Sequence, residues 1–198
     1  MQSKTLDARD AVLASAVNAF ARRGYAGTSV QDILRATRLS KPTIYYYFQS
    51  KAGLFRAILA FAYDESYRLM QEKLTGKMKC KQRLVEVAGA LFNFATGHQN
   101  LTRLVFATVF AAPEEIPPDS IDPAKRRRNF ECVLAIVREG QQAGELDVGY
   151  DPVELAHGIF GAISHQIRMH LIQPQGPLDR RRAERVVALF CNGARKQK

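Results

Sequence analysis

The 198-residue chain is 46% hydrophobic and 24% charged, a balance that supports a sizeable core and excludes a disordered or low-complexity chain. Its three cysteines, Cys80, Cys132 and Cys191, stand far apart and outside any CxxC spacing, which excludes a disulfide scaffold and predicts reduced, buried small hydrophobes in a cytoplasmic protein. The formal net charge of +10 points to a polyanionic partner.

The apolar spacing is helical from end to end. Val12, Leu13, Ala16, Val17 and Phe20 mark one stripe of a first amphipathic helix over 8–23, which Gly24 stops. Thr28 or Gly27 is expected to cap a short second helix that turns Val30, Ile33 and Leu34 inward. Ser40 caps a third, with Pro42 in its first turn, where a missing N–H costs nothing. A long helix is predicted over 51–74, then helices over 81–96 and 101–111. The proline-rich stretch 113–118 must be a loop. Another helix covers 122–143 and is closed by Gly144. Asp151, Pro152 and Glu154 signal the start of a helix over 152–172, and a last helix covers 178–194. Alternating strand patterns and repeats are absent. The expected fold is all-α with about nine helices.

Charge is uneven along this frame. The first 56 residues hold nine basic side chains against three acids, whereas the rest hold 20 against 16. The polar segment 1–10 lacks the apolar core of a signal peptide. The apolar run 104–112 is too short to span a bilayer, so no membrane partner is expected.

The chemistry concentrates in Thr28–Lys51, TSVQDILRATRLSKPTIYYYFQSK. Two short helices joined by Thr37-Arg38-Leu39-Ser40 have the proportions of a helix-turn-helix. At about 100° per residue, Ile44 and Phe48 fall on one side of the second helix. Tyr46 points nearly opposite, beside Pro42 and Thr43, with Tyr45 and Tyr47 on the flanks. That outward edge offers a hydroxyl, a methyl and an aromatic ring to base edges, while Lys41 and the flanking phenols can reach phosphates. Lys51 and Thr28, each at the start of a helix, are expected to add phosphate contacts. Three consecutive tyrosines on so short a helix cannot all be buried.

Ala19-Phe-Ala-Arg-Arg-Gly-Tyr25, Thr28-Ser-Val-Gln-Asp-Ile33, Leu39-Ser-Lys-Pro-Thr-Ile-Tyr-Tyr-Tyr-Phe48 and Ser50-Lys51 closely resemble the TetR/AcrR family of bacterial regulators, specifically over 8–59. The resemblance implies a three-helix DNA-binding domain over 1–52 and a helical ligand-binding and dimerisation domain over 53–198. It implies that Lys41, Thr43, Tyr46 and Tyr47 touch bases or phosphates, and that Thr28, Tyr45 and Lys51 touch phosphates. Ser40 and Pro42 border the same face. Arg38 stands where the family commonly has glycine; it either alters the turn or adds a phosphate contact.

The resemblance also implies a homodimer, double-stranded operator DNA and a small-molecule effector as partners, and no cofactor. In the helix over 152–172, Phe160, Ile163 and Ile167 belong to one apolar seam, matched by Val187 and Phe190 on the last helix. Two such helices from each protomer would form a four-helix interface. Candidates for an apolar effector pocket are Tyr63, Tyr67, Met70, Phe92, His98, Phe106, Phe110, Phe130 and His165. His157 and His165 are eight apart rather than four, which argues against a helical metal pair. No GxSxG, HExxH, Walker loop or GxGxxG occurs, so the expectation is a regulator rather than an enzyme. A nonspecific nucleic-acid-binding protein is the remaining rival.

Overall fold

The computed structural model describes residues 2–37, 39–74 and 76–193, with side chains from Ala8 onward. Among the described residues there are nine α-helices and no strand: α1 (Gln2–Arg23), α2 (Val30–Arg35), α3 (Lys41–Phe48), α4 (Lys51–Lys73), α5 (Cys80–Gly97), α6 (Gln99–Val109), α7 (Pro123–Gln142), α8 (Pro152–Ile172) and α9 (Arg180–Gly193). Among the described residues, no helix is long and apolar enough to cross a membrane. The first helix begins six residues earlier than the apolar stripe predicts, because a polar helical turn needs no buried face.

The chain divides into two compact units. The first comprises Met1–Ala62 together with His98–Asp122, and the second Tyr63–Gly97 together with Pro123–Lys198. This division differs from the expected boundary after residue 52. The reason is α6, which packs against α1 and so joins the N-terminal unit.

Within the first unit, Val12, Ala16 and Phe20 of α1, Ile33 of α2, Ile44 and Phe48 of α3 and Leu54, Phe55 and Ile58 of α4 are buried. Each of these side chains other than that of Ala16 contributes roughly 1.5–3 kcal/mol through removal from water. The rings of Phe20 and Phe55 meet edge to face, with centroids 5.2 Å apart. Gly24 ends α1 with φ +69°, a left-handed turn that glycine adopts without a Cβ clash.

Within the second unit α7 packs on α8, and α5 packs on α7 and α9. Met70, Leu84, Phe92, Val133, Ile136, Ile159 and Ile163 are buried there. The Glu145 carboxylate accepts the Cys80 backbone N–H at 2.9 Å, satisfying a donor at the positive end of α5. Asp151 caps α8, accepting from the N–H groups of Val153 and Glu154 at 2.6 and 3.2 Å. Cys80 and Cys132 are buried and Cys191 half-buried, all as free thiols. Burial is the chief cause that pushes the Cys80 thiol up to about 12, so it stays protonated near neutrality.

Candidate DNA-binding surface

The head is fixed from beneath by hydrogen bonds that cross between helices. Ser15 Oγ on α1 donates to the Ile33 carbonyl on α2 at 2.6 Å. At the start of α2, Ser29 rather than Thr28 or Gly27 is the cap. Its hydroxyl accepts the Asp32 N–H at 3.1 Å, while the Asp32 carboxylate accepts the Ser29 N–H at 3.0 Å. The reciprocal pair satisfies two otherwise orphaned donors. The sequence carried this signal as Ser29 three residues ahead of Asp32. The hydrogen bonds from Ser29, aided by Arg23 at 3.1 Å and Arg35 at 3.4 Å, lower the Asp32 pKa to about 2.

On this base, α3 turns Ile44, fully buried, and Phe48 into the head. The outer side carries Tyr46, 79% exposed, and Tyr45, 43% exposed. Neither phenol hydroxyl has a hydrogen-bond partner among the described residues. The Tyr46 and Tyr47 rings stand edge to face with centroids 5.0 Å apart, so each restricts the other's rotamers. Lys41 is exposed, and its ammonium sits 5.8 Å from the Tyr45 ring centroid. Pro42 is exposed and Thr43 half-buried. Ser40 occupies the cap position of α3, yet its hydroxyl pairs with that of Thr43 at 3.2 Å instead of capping the backbone. The link before α3 is held by Thr37, whose hydroxyl donates to the Leu34 carbonyl and accepts the Leu39 N–H. Arg38 lies outside the described residues.

Two of the expected phosphate contacts need correction. Thr28 is buried, and its hydroxyl donates inward to the carbonyls of Gly24 at 2.7 Å and Ala19 at 3.2 Å. The Lys51 ammonium donates to the carbonyls of Tyr25 at 3.0 Å and Thr28 at 2.9 Å, and lies 4.1 Å from the Tyr25 ring centroid. Burial lowers its pKa. Thr28 therefore ties the turn to the end of α1, and Lys51 clamps that turn to α4, roles that a sequence pattern alone cannot distinguish from a solvent-facing hydroxyl and charge.

The expected effector residues divide between the two units. His98, Phe106 and Phe110 belong to the first, where His98 is exposed, Phe106 half-buried and Phe110 76% exposed. Tyr63, Tyr67, Met70, Phe92, Phe130 and His165 belong to the second. There Met70 and Phe92 are fully buried core, His165 is exposed, and Tyr63, Tyr67 and Phe130 are half-buried. The Asn129 amide donates to the Tyr63 carbonyl at 3.0 Å, and the Arg128 guanidinium lies 4.2 Å from the Tyr67 ring centroid. Phe130 stacks on His157 with centroids 4.3 Å apart. Tyr63 and Tyr67 thus meet α7 through Asn129 and Arg128, whereas the Phe130 ring faces α8.

The expected dimer seam also needs correction. Ile163, Ile167 and Val187 are buried within their own unit, so they cannot form an outer face. Phe160 and Phe190 are half-buried. The outward positions are instead Gly158 and Gly161 on α8 and Leu189, 80% exposed, on α9. Helical periodicity gives an apolar stripe without saying which core it faces.

Residues 12–58 match the family model for bacterial regulatory proteins of the tetR family. Across 84% of the chain and 78% of the relative, the sequence is 24% identical to a Bacillus subtilis protein named as a probable HTH-type transcriptional regulator, YttP. Over 80 residues, 40% of the chain and 36% of the relative, it is 38% identical to the Escherichia coli HTH-type transcriptional repressor ComR. The fold agrees with that of the Bacillus subtilis regulator FadR, solved in complex with stearoyl-CoA, with a TM-score of 0.73 and 22% identity over 92% of this chain and 97% of that one. The head over residues 12–58 is therefore similar to that of bacterial regulatory proteins of the tetR family, and the helical frame of the described residues is similar to that of solved regulators of this fold.

Proposed function

We propose that the protein is a ligand-responsive repressor that binds a near-palindromic operator as a homodimer in the cytoplasm and leaves it when a lipophilic or aromatic effector binds. The observation that carries this reading is the α3 surface: Tyr45 and Tyr46 exposed above a locked Ile44 and Phe48. An aromatic, hydroxyl-bearing edge on a basic head fits the major groove, where thymine methyls and donor–acceptor patterns are read. Lys41, Thr43 and Tyr47 complete the expected contact set, with Ser40 and Pro42 beside them. Repression is favoured by the 80-residue likeness to ComR, a repressor by name. A protein seated on an operator also occludes other DNA-binding proteins.

The homodimer reading rests on groove geometry. Two recognition helices must stand about 34–36 Å apart to enter successive major grooves, which one head cannot satisfy. The face bearing Gly158, Gly161 and Leu189 is suited to close helix approach, because a Cβ added at Gly161 would meet nothing within 4 Å. The effector reading rests on Tyr63, Tyr67 and Phe130 in the second unit, and the acyl thioester bound by FadR supplies a probe class. An effector moves the protein off DNA only by binding the DNA-incompetent state more tightly. The tilt of α4 is the proposed lever, since that helix begins at the Lys51 clamp.

Selection of bound sequences from randomised duplex DNA with the purified full chain tests the reading. A palindromic consensus with two half-sites about one helical turn apart is expected. Recovery of unenriched sequence, with equal affinity for random duplex, would identify a nonspecific binder instead.

A further inference from the structure

A cleft of about 340 Å³ opens in the first unit between the end of α1, the turn after it and α6. Its floor is aromatic. Phe20, Tyr25 and Phe55 meet with ring centroids 5.1 to 5.8 Å apart. The α6 wall is apolar, formed by Leu104 and Ala107 with Thr108, whose hydroxyl is already engaged by the Leu104 carbonyl at 2.7 Å.

Charged groups line the cleft at three places: Arg23, Arg103 and Glu115. Arg23 is paired with Asp32 at 3.1 Å, and a Glu115 oxygen accepts the Ala112 N–H at 3.1 Å. Arg103 is exposed and has no ion pair or hydrogen bond among the described residues. A ring-lined cleft with one uncommitted guanidinium fits a ligand of matching halves. An aromatic ring covers the floor edge to face, and a carboxylate accepts two parallel N–H bonds from the guanidinium. A cation would meet two arginines. The volume lies at the small end of the roughly 300–1,000 Å³ span of ligand sites, which suits one or two rings rather than a long acyl chain.

We propose that this cleft is a second small-molecule site, in the DNA-binding head, that takes a one- or two-ring aromatic carboxylate. It stands independently of the effector reading in the second unit, because every lining residue belongs to the first.

The test is the fluorescence anisotropy of 2-naphthoate titrated with the full chain, whose sequence contains no tryptophan to interfere. Saturable binding is expected, with neutral 2-naphthamide binding at least about tenfold more weakly. Arg103→Gln, at an exposed position, should weaken naphthoate about tenfold and leave naphthamide unchanged. Ala107→Phe, which fills the cleft, should abolish both. Absence of saturable binding, equal affinity for the amide, or naphthoate binding unaltered by both substitutions would overturn the proposal. Operator affinity without naphthoate is expected to be unchanged in Arg103→Gln, which keeps this test separate from that of the repressor reading.

Discussion

The ammonium of Lys51 is held between two carbonyls and an aromatic face, so its role is to fasten the turn after α1 to the start of α4. Replacing it by methionine keeps the stem and leaves the Thr28 carbonyl short of a donor. Hydrogen bonds to charged groups are worth roughly 1.5–3 kcal/mol, reduced here by partial exposure. A loss of about 1–2 kcal/mol in urea unfolding is therefore expected for Lys51→Met; no change in the midpoint would contradict the clamp. Asp32 makes a pH-dependent contribution of the opposite kind. Its folded pKa, about 2, lies below its ordinary 3.8, so its stabilising effect is complete above about pH 4 and is lost as pH falls through 2. Asp32→Asn should flatten the acid limb of a stability-versus-pH curve between those values, and a limb of unchanged slope would contradict the assignment. The capping pair was legible in the spacing of Ser29 and Asp32. The inward turn of the Thr28 hydroxyl was not, since a threonine before a helix has the same local pattern whether its side chain meets solvent or the Gly24 carbonyl.

The elements follow from the sequence where breakers and caps are strong. Gly24, Gly144 and the Asp151-Pro152 start are read directly, because φ above zero and a proline at the first helical position leave few alternatives. The end of α3 is less orthodox. Gln49 has φ +63°, a region in which an L side chain costs about 1–2 kcal/mol. Gln49→Gly is therefore expected to raise the head's stability by about 1 kcal/mol in thermal unfolding; a lower midpoint would show that the glutamine side chain earns its place through contacts. The faces of α8 and α9 were only half legible. An apolar stripe at three- and four-residue spacing is the same whether it covers its own core or a partner, and here Ile163, Ile167 and Val187 cover their own. The exposed Leu189 falls to the partner-facing side of the proposed interface. Leu189→Glu should shift the mass measured by light scattering from dimer towards monomer, because it places a carboxylate in an apolar contact. An undisturbed dimer would place the interface elsewhere.

At the scale of the whole molecule, the all-helical frame and its charge bias were legible from periodicity and composition, because both are sums over many residues. The grouping of α6 with the head was not, since it depends on contacts between segments some eighty residues apart, such as the 2.7 Å bond from Asn100 to Asn18. The effector residues were the least legible part: aromatic side chains that line a pocket and those that fill a core share the same spacing, and Met70 and Phe92 proved to be core. The proposed function concentrates on α3, the helix that carries three adjacent tyrosines. Three adjacent tyrosines on so short a helix cannot all find cover, and the middle one is 79% exposed. The most direct measurement is the affinity of Tyr46→Ala for the selected operator, by fluorescence anisotropy at the same salt concentration as the unsubstituted protein. A direct base contact is worth about 1–3 kcal/mol, so affinity should fall at least about tenfold on each operator-bound dimer, with folding unchanged. Operator affinity equal to that of the unsubstituted protein would contradict the assignment of α3 to the major groove.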